Sequence, residues 1–182
     1  MAGEQMKRKR WNAIIDRMPK NRDIVGIELG VYEGKMSRYM LKALPRLTLY
    51  MVDRWQQYTP EERKISTGKM PKDGQDVFDR AYKMSCAVAE EIGPRAIIVR
   101  ASTDEALSLV PRKFDFVFID ADHSYEAVKR DIKRWRKRVR RGGILAGHDY
   151  KRSSHPGVTR AVNEIFPAGL ETDVNGVWLV RM

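Results

Sequence analysis

The 182-residue sequence contains a single cysteine, Cys86, so no disulfide within the chain can stabilise it. It also lacks any apolar run near the roughly 20 residues that span a bilayer. Met1 to Arg10 has basic residues with no apolar stretch behind them, which is not the pattern of a secretory signal. From these absences we expect a cytoplasmic protein that has no membrane partner.

Acidic residues are scarce relative to basic ones. The chain has 35 Lys and Arg against 24 Asp and Glu, a net charge of +11, which favours acidic partners such as nucleic acid or phosphorylated metabolites. The excess lies in Lys7–Arg10 and in Lys129–Arg141, where nine basic residues accompany one acid, Asp131. A nucleic acid is therefore one candidate partner. Because Trp135 lies on an apolar helix stripe, we expect it in the core and not on a base-stacking surface.

Short apolar runs alternate with segments of helical periodicity. The runs predict buried strands at Ile24–Leu29, Leu47–Val52, Ala96–Val99, Phe114–Ile119, Ile144–Gly147 and Val177–Val180, with a weaker one near Leu170–Asp173. The periodic segments predict helices with apolar stripes on Met36–Leu44, Val77–Ile92 and Tyr125–Val139, a helix from Pro156, and one around Gln5 to Met18. This alternation predicts an α/β fold, a mostly parallel sheet with helices on both faces.

We expect residues 1–182 to form one domain, with residues 1–20 as an N-terminal helical extension. The exceptional connection is residues 54–75, which show no clear periodicity. Loops of this length are usually functional lids or disordered segments. The segment contains aromatic and basic residues, namely Trp55, Tyr58, Lys64, Lys69 and Lys72. They predict a lid over an anionic or aromatic acceptor, and the alternative is a mobile surface loop.

A glycine-containing turn follows the first predicted strand. Ligands of parallel sheets bind beyond the carboxyl ends of the strands, where glycines let the backbone approach them closely. Only three residues separate Gly30 from Gly34, and Met36 stands where a P-loop requires Ser or Thr, so a P-loop is excluded. Tyr32 stands where a G-x-G-x-x-G turn that begins at Gly30 requires its second glycine, which disfavours a nicotinamide cofactor.

Two further strand ends carry polar residues suited to a nucleoside. Asp53 ends the second strand, and a carboxylate there can accept both ribose hydroxyls, although it could equally cap the next segment. Ser102 or Thr103 follows the third strand and could cap a helix or contact an adenine edge.

The fourth and fifth strands end in acids and histidines. The fourth leads into Asp120 and His123, and the fifth leads into His148 and Asp149. A buried carboxylate is costly unless it is paired or bound to a metal, so we expect Asp120 to be functional. Since adjacent strand ends share one edge of a sheet, these four residues are the catalytic candidates, with His155 close behind in the sequence.

Together these motifs resemble the class I S-adenosylmethionine-dependent methyltransferases, and most closely the family-24 methyltransferase domain related to catechol- and caffeoyl-CoA-type O-methyltransferases. The resemblance runs from about Ile24 to Val180 and rests on Ile27–Gly34, Asp53, Phe118–Tyr125 and Gly142–Tyr150. It implies a Rossmann-like seven-stranded sheet whose last strand is antiparallel. It also implies S-adenosylmethionine as the cofactor.

By this resemblance, Asp53 would bind the ribose, Ala101 with Ser102 would flank the adenine, and Asp120 would lie near the methyl group. The implied cofactor-binding residues are Glu28, Gly30, Tyr32, Gly34, Ser37, Asp53, Ala101, Ser102 and Asp120. In metal-dependent relatives the residue at Asp120 binds magnesium. Here Tyr150 stands where those relatives have Asn, which leaves a partial divalent-cation site at Asp120 and Asp149, with His148 or His123 as a further ligand.

The resemblance predicts O-methylation of a small molecule. The acceptor hydroxyl would lose its proton either to His123 or His148, or under the influence of a metal held by Asp120 and Asp149. The alternatives are a nucleic-acid-directed methyltransferase, a basic nucleic-acid-binding protein and a non-catalytic cofactor-binding domain.

Overall fold

The computed structural model describes residues 8–60 and 74–182, and seven strands of these form one sheet in the order β3-β2-β1-β4-β5-β7-β6. The strands are β1 Ile24–Leu29, β2 Leu47–Asp53, β3 Ala96–Arg100, β4 Phe114–Ile119, β5 Val139–Gly147, β6 Glu171–Asp173 and β7 Val177–Arg181. The α-helices are α1 Asn12–Ile15, α2 Lys35–Ala43, α3 Gln75–Ile92, α4 Ala106–Leu109, α5 Tyr125–Trp135 and α6 Pro156–Ile165.

Strands β1 to β5 are parallel, whereas β7 runs antiparallel to both β5 and β6. The predicted Rossmann-like sheet with an antiparallel last strand is therefore confirmed. The strand order changes direction between β1 and β4. Ligands of such sheets bind beyond the carboxyl ends of the strands at this point.

Helices cover both faces of the sheet, and each face has its own hydrophobic core. On one face, α1, α2 and α3 pack their apolar residues against the sheet, among them Ile14, Met40 and Val88. On the other face, α5 and α6 do the same with Ile132 and Val162. Burial on both sides explains why the central strands are almost continuously apolar.

Two residues that were predicted to lie on apolar helix stripes face solvent. Tyr39 is 51% exposed and Met84 is 40% exposed, and the neighbouring Ser37 and Ser85 are buried instead. Each serine donates a hydrogen bond, Ser37 to the buried Glu28 side chain and Ser85 to the carbonyl of the turn after β1. The two helices therefore turn polar atoms toward that turn, which an apolar periodicity cannot predict.

The predicted boundary between the third helix and the fifth strand is wrong. Helix α5 ends at Trp135, a 3₁₀ turn covers Arg136–Arg138, and Val139 belongs to β5, five residues before the predicted strand start. Val139 is buried beside Phe114, its partner in β4, so its apolar character reflects the sheet and not the helix. Trp135 is fully buried, as predicted.

The N-terminal helix is shorter than predicted, since α1 contains only four residues; residues 1–7 lie outside the described part. Ile14, Ile15 and Met18 are buried, and Trp11 stacks on Tyr39 with ring centroids 4.3 Å apart. Of the predicted lid, residues 61–73 also lie outside the described residues. No helix among the described residues is long and apolar enough to cross a membrane.

Candidate active site

A cavity of about 570 Å³ opens at the carboxyl ends of β1, β2, β3 and β4 and is closed on one side by α5. Its volume falls within the roughly 300–1,000 Å³ that is usual for small-molecule sites. Six of the predicted cofactor-binding residues line it: Gly30, Tyr32, Asp53, Ala101, Ser102 and Asp120. The other three, Glu28, Gly34 and Ser37, are buried but are not part of its wall.

Gly30 brings the turn after β1 into close contact with the end of β4. Its φ is +91°, and a Cβ atom at this position would lie only 2.1 Å from the carbonyl oxygen of Asp120. The Asp120 amide donates to Leu29 and the Gly30 amide donates to Val52, each at 2.8 Å. A side chain here would therefore separate the elements that form this wall of the cavity.

Asp53 connects the turn after β1 to the segment after β2. Its carboxylate accepts hydrogen bonds from the backbone amides of Tyr32 at 2.9 Å and Trp55 at 2.8 Å. Both donors have positive φ, 54° and 45°, conformations that cost energy and are found at functional sites. Burial raises the pKa of Asp53, and these backbone hydrogen bonds oppose the rise.

Glu28 is a fully buried carboxyl group beside the cavity. Ser37 donates a 2.5 Å hydrogen bond to Oε2, whereas Oε1 has no hydrogen-bond partner among the described residues. Burial raises the pKa of Glu28 to about 8, with the Ser37 hydrogen bond and the charge of Arg10 acting against the rise. A buried acceptor without a donor is costly unless a ligand supplies one.

Asp131 of α5 forms part of the opposite wall and was not among the sequence candidates. It is 1% exposed; Oδ1 accepts a 2.9 Å hydrogen bond from Thr103, and within residues 8–60 and 74–182 Oδ2 has no hydrogen-bond partner. Burial raises its pKa to about 6.

Ser102, which was expected either to cap a helix or to contact an adenine edge, caps the turn that follows it. Its hydroxyl accepts a hydrogen bond from the Glu105 amide, and the Glu105 side chain accepts one from the Ser102 amide.

Three histidines surround Asp149 at the ends of β4 and β5. His123 lies 2.9 Å from one carboxylate oxygen, and His148 and His155 lie 3.1 and 3.9 Å from the other. Asp120 lies 3.5 Å from His123 and is also near His148. The structure thus brings the four predicted catalytic residues together, with His155 as an additional member of this histidine–aspartate cluster.

Only part of this histidine–aspartate cluster reaches the cavity. Asp120 and His123 line it, and with His148 they also line a small adjoining void of about 10 Å³. Asp149 lines neither space and is held at a φ of +59°. The cavity can therefore present a bound acceptor to Asp120 and His123, while His148 and Asp149 lie behind them.

The charges of the histidine–aspartate cluster are tightly linked. Burial alone would lower the pKa of His123, but hydrogen bonds to Asp120 and Asp149 outweigh it and raise the pKa to about 9. Burial would raise the pKa of Asp149, but the hydrogen bonds from His123 and His148 hold it well below its usual range. The His123 imidazole is therefore protonated at neutral pH in the free protein.

Arg10 is the second functional candidate that sequence reasoning missed. Its guanidinium lies 2.7 Å from Oδ2 of Asp120, so the N-terminal segment contributes a cation to the site. The sequence showed a basic cluster at residues 7–10, but nothing in it linked that cluster to a strand end more than a hundred residues away.

Among the charged residues of the cavity wall, acidic ones outnumber basic ones. It includes two arginines, Arg54 and Arg130, and the protonated His123. Against these stand five carboxylates, which are Asp53, Asp120, Asp122, Glu126 and Asp131. Such a lining favours a ligand that carries positive charge and disfavours a polyanion. The positive charge of the chain as a whole must therefore be concentrated elsewhere.

The strand order, the glycine turn and the acidic residues at the strand ends define a cofactor-binding α/β protein of the class I methyltransferase type. Residues 27–150 match the methyltransferase domain of family 24, and the chain belongs to this family.

The chain is also similar to individual known proteins. An uncharacterized protein of Acanthamoeba polyphaga mimivirus is 40% identical over 73 residues, which are 37% of this chain and 33% of that protein. The chain thus spans about a third of the length of this curated relative.

Solved structures show the same fold at low sequence identity. The calicheamicin methyltransferase CalS11 is 16% identical with a TM-score of 0.63, covering 94% of this chain and 76% of that one. An rRNA methylase from Streptococcus thermophilus is 12% identical with a TM-score of 0.62, covering 97% and 99%. Since one of these names refers to a small molecule and the other to RNA, the shared fold leaves the acceptor open.

Proposed function

We propose that this chain transfers the methyl group of S-adenosylmethionine to an oxygen atom of a small, neutral or aromatic molecule. One observation carries the proposal: a single cavity connects Asp53 and Ala101 at one end with Asp120 and His123 at the other. It has room for a nucleoside cofactor beside an acceptor, and its acidic wall suits a ligand with a positively charged sulfonium.

The buried residues around the cavity fit this cofactor. The two carboxylate oxygens of Asp53 already accept from the Tyr32 and Trp55 amides, and a carboxylate offers about four acceptor positions, so it can also accept from a ribose hydroxyl. Glu28 is buried behind this wall, and we propose that cofactor binding exposes its Oε1 to the ammonium group of the methionine moiety. When bound, the cofactor supplies an electrophilic methyl group, and the protein mainly aligns it with the acceptor.

Asp120 and His123 would then position and deprotonate the acceptor hydroxyl. As the oxygen forms its bond to the methyl carbon and the carbon–sulfur bond breaks, the hydroxyl proton needs a base. His123 is protonated in the free protein, but a positive charge bound nearby lowers the pKa of an imidazole. We therefore assign the base to His123 in the cofactor-bound protein, held in place by Asp149.

The donor atoms also fit a divalent cation. Single ligand atoms of Asp120, His148 and Asp149 lie within 4.8 Å of one another, and these three residues would hold the ion, which would acidify the acceptor hydroxyl. The imidazole favours a transition metal over magnesium. Both carboxylates already have cationic partners, Arg10 and His123, so an ion would compete with them.

The cavity wall favours an aromatic acceptor over the anionic one that the sequence also suggested. Tyr32, Tyr58 and Phe78 contribute aromatic rings to it, whereas carboxylates outnumber cations. A nucleic-acid strand in this cavity would place its phosphates against these carboxylates.

Calorimetry with S-adenosylhomocysteine and NAD tests the proposal. We expect micromolar binding of the first ligand and none of the second. Labelled S-adenosylmethionine should then methylate members of a panel of phenols and catechols, but not total RNA.

Turnover measurements test the two routes for deprotonating the acceptor. Turnover that survives EDTA would exclude the cation, and unchanged turnover in both His123→Ala and His148→Ala would exclude a histidine base. A folded protein that ignores S-adenosylhomocysteine at millimolar concentration would contradict the proposal as a whole.

Asp131 should determine the preference for adenine. Its unpartnered Oδ2 can accept from the 6-amino group, so S-inosylhomocysteine, with an oxygen at this position, should bind about 100-fold more weakly than S-adenosylhomocysteine. In Asp131→Asn, an amide donor can face that oxygen, and the preference should shrink to within about tenfold. Calorimetry with both ligands measures the ratio.

Glu126→Gln is the matched control, because it makes the same charge change in the wall of the same cavity. It should affect the two ligands equally and leave their ratio unchanged. An unaltered ratio in Asp131→Asn would show that Asp131 does not contact the base.

A further inference from the structure

The basic residues of this chain gather at the edge of the sheet opposite the cavity. Parallel register brings the segments that precede β1, β2, β4 and β5 to the same edge, and antiparallel β7 ends there. Ten exposed cations lie on these segments, at the start of β5 or at the end of β7, and we call them the basic edge: Lys20, Arg22, Arg46, Arg112, Lys113, Arg136, Lys137, Arg140, Arg141 and Arg181.

Few carboxylates neutralise the basic edge. Asp115 pairs with Arg22 and Arg140, and Asp23 pairs with Arg46. The other seven cations have no carboxylate within salt-bridge distance among residues 8–60 and 74–182. Most of the excess positive charge on this surface is therefore available to an external partner.

The helix that looked most basic in the sequence contributes less to this surface. Lys129 pairs with Glu164, and Arg130 and Arg134 pair with Asp104. These contacts neutralise the exposed face of α5 nearest the cavity. Lys133 of α5 is exposed and has no carboxylate within salt-bridge distance among the described residues, and Arg136 and Lys137 follow directly where the helix ends.

We propose that the basic edge binds the phosphate backbone of a nucleic acid, at a surface remote from the site of methyl transfer. Neighbouring strands lie about 4.8 Å apart, so the ends of β2, β1, β4, β5 and β7 span about 20 Å, long enough for several consecutive phosphates. Seven of the ten cations are arginines, whose planar guanidinium binds phosphate in a bidentate manner.

The composition of the basic edge favours nucleic acid over an anionic membrane. Membrane-surface binding usually adds several inserted apolar side chains to the electrostatic attraction. Among the described residues, Leu109 of α4 is the large apolar side chain exposed near this edge. The position of the edge also separates this binding from catalysis, because the acidic cavity opens at the other ends of the same strands.

Fluorescence anisotropy with a labelled 20-nucleotide RNA tests this inference. We expect wild-type binding that weakens steeply with salt, with a slope of log K against log salt of about −4 for six phosphate contacts. The double variant Arg136→Gln/Lys137→Gln should bind at least tenfold more weakly at 100 mM salt, with a slope shallower by about 1.4.

The control is Arg80→Gln/Lys83→Gln, which removes the same charge from exposed positions of α3. Its affinity should stay within threefold of wild type. Equal losses in the two double variants, no wild-type binding at 50 mM salt, or binding to phosphatidylserine vesicles in place of RNA would each overturn the inference. Both variants should bind S-adenosylhomocysteine as wild type does, so failure of that ligand would bear on the proposed function alone.

Discussion

Gly30→Ala should destabilise the protein by about 3 kcal/mol or more and abolish binding of S-adenosylhomocysteine. The new Cβ would overlap the Asp120 carbonyl oxygen at 2.1 Å and the Ala121 Cα at 2.7 Å, both of them backbone atoms that cannot rotate away. The positive φ adds backbone strain. Relief of the overlap requires β1 and β4 to separate at the wall of the cavity. Chemical denaturation and calorimetry measure the two effects.

Gly169→Ala is the control for Gly30→Ala, because it introduces backbone strain without overlap between atoms. Gly169 has a φ of +75°, but its Cβ would meet no atom within 4 Å. This substitution should cost about 1 kcal/mol and leave ligand affinity unchanged. If Gly30→Ala were as stable as Gly169→Ala and still bound the ligand, the close approach of the two strand ends would be wrong.

Glu28→Gln should become progressively more stable than wild type as the pH rises from 5 to 8. The pKa of Glu28 is about 8 in the folded protein and 4.5 in an exposed reference group. Between these values the unfolded chain loses the proton while the folded protein keeps it, so the contribution of Glu28 to stability is full below pH 4.5 and is lost as the pH approaches 8. The relative change should be on the order of 4 kcal/mol.

Glutamine suits this test because it keeps an oxygen that can accept from Ser37. Urea denaturation at pH 5, 6.5 and 8 gives the free energy of unfolding for each protein. Glu90→Gln removes an exposed carboxylate of α3 and should leave the difference from wild type the same at the three pH values. A constant difference for Glu28→Gln as well would mean that Glu28 is ionised in the folded protein.

The predictions from sequence succeeded where a local pattern is repeated along a strand or helix. The segment Phe114–Ile119, apolar except for Asp115, is buried throughout as β4, and the helix predicted from Pro156 begins there as α6. The predictions failed where a contact with a residue far away in the chain decides which side chain is buried. The buried Ser37 and Ser85 break their apolar stripes because each serves a polar group in or beside the turn after β1.

Part of the candidate site could also be predicted, because some of its residues belong to local patterns. Asp53, Asp120 and His123 directly follow strands, and the ends of parallel strands meet at one edge, so their placement on a common cavity follows from the order of elements. Arg10 and Asp131 approach that edge from an N-terminal segment and from the middle of a helix. No rule about strand ends applies to such residues, and only their contacts identify them.

The alternation of strands and helices, the glycine turn and the acids that follow the strands could all be identified from the amino-acid sequence, because each depends on residues that are neighbours in the chain. Tertiary structure decided how charge is distributed. Carboxylates line the cavity at one edge of the sheet, and arginines and lysines, most of them without a carboxylate partner among the described residues, occupy the other. The reason is physical, since the effect of a charge depends on its distance from other charges and on burial, and folding sets both for residues far apart in the chain.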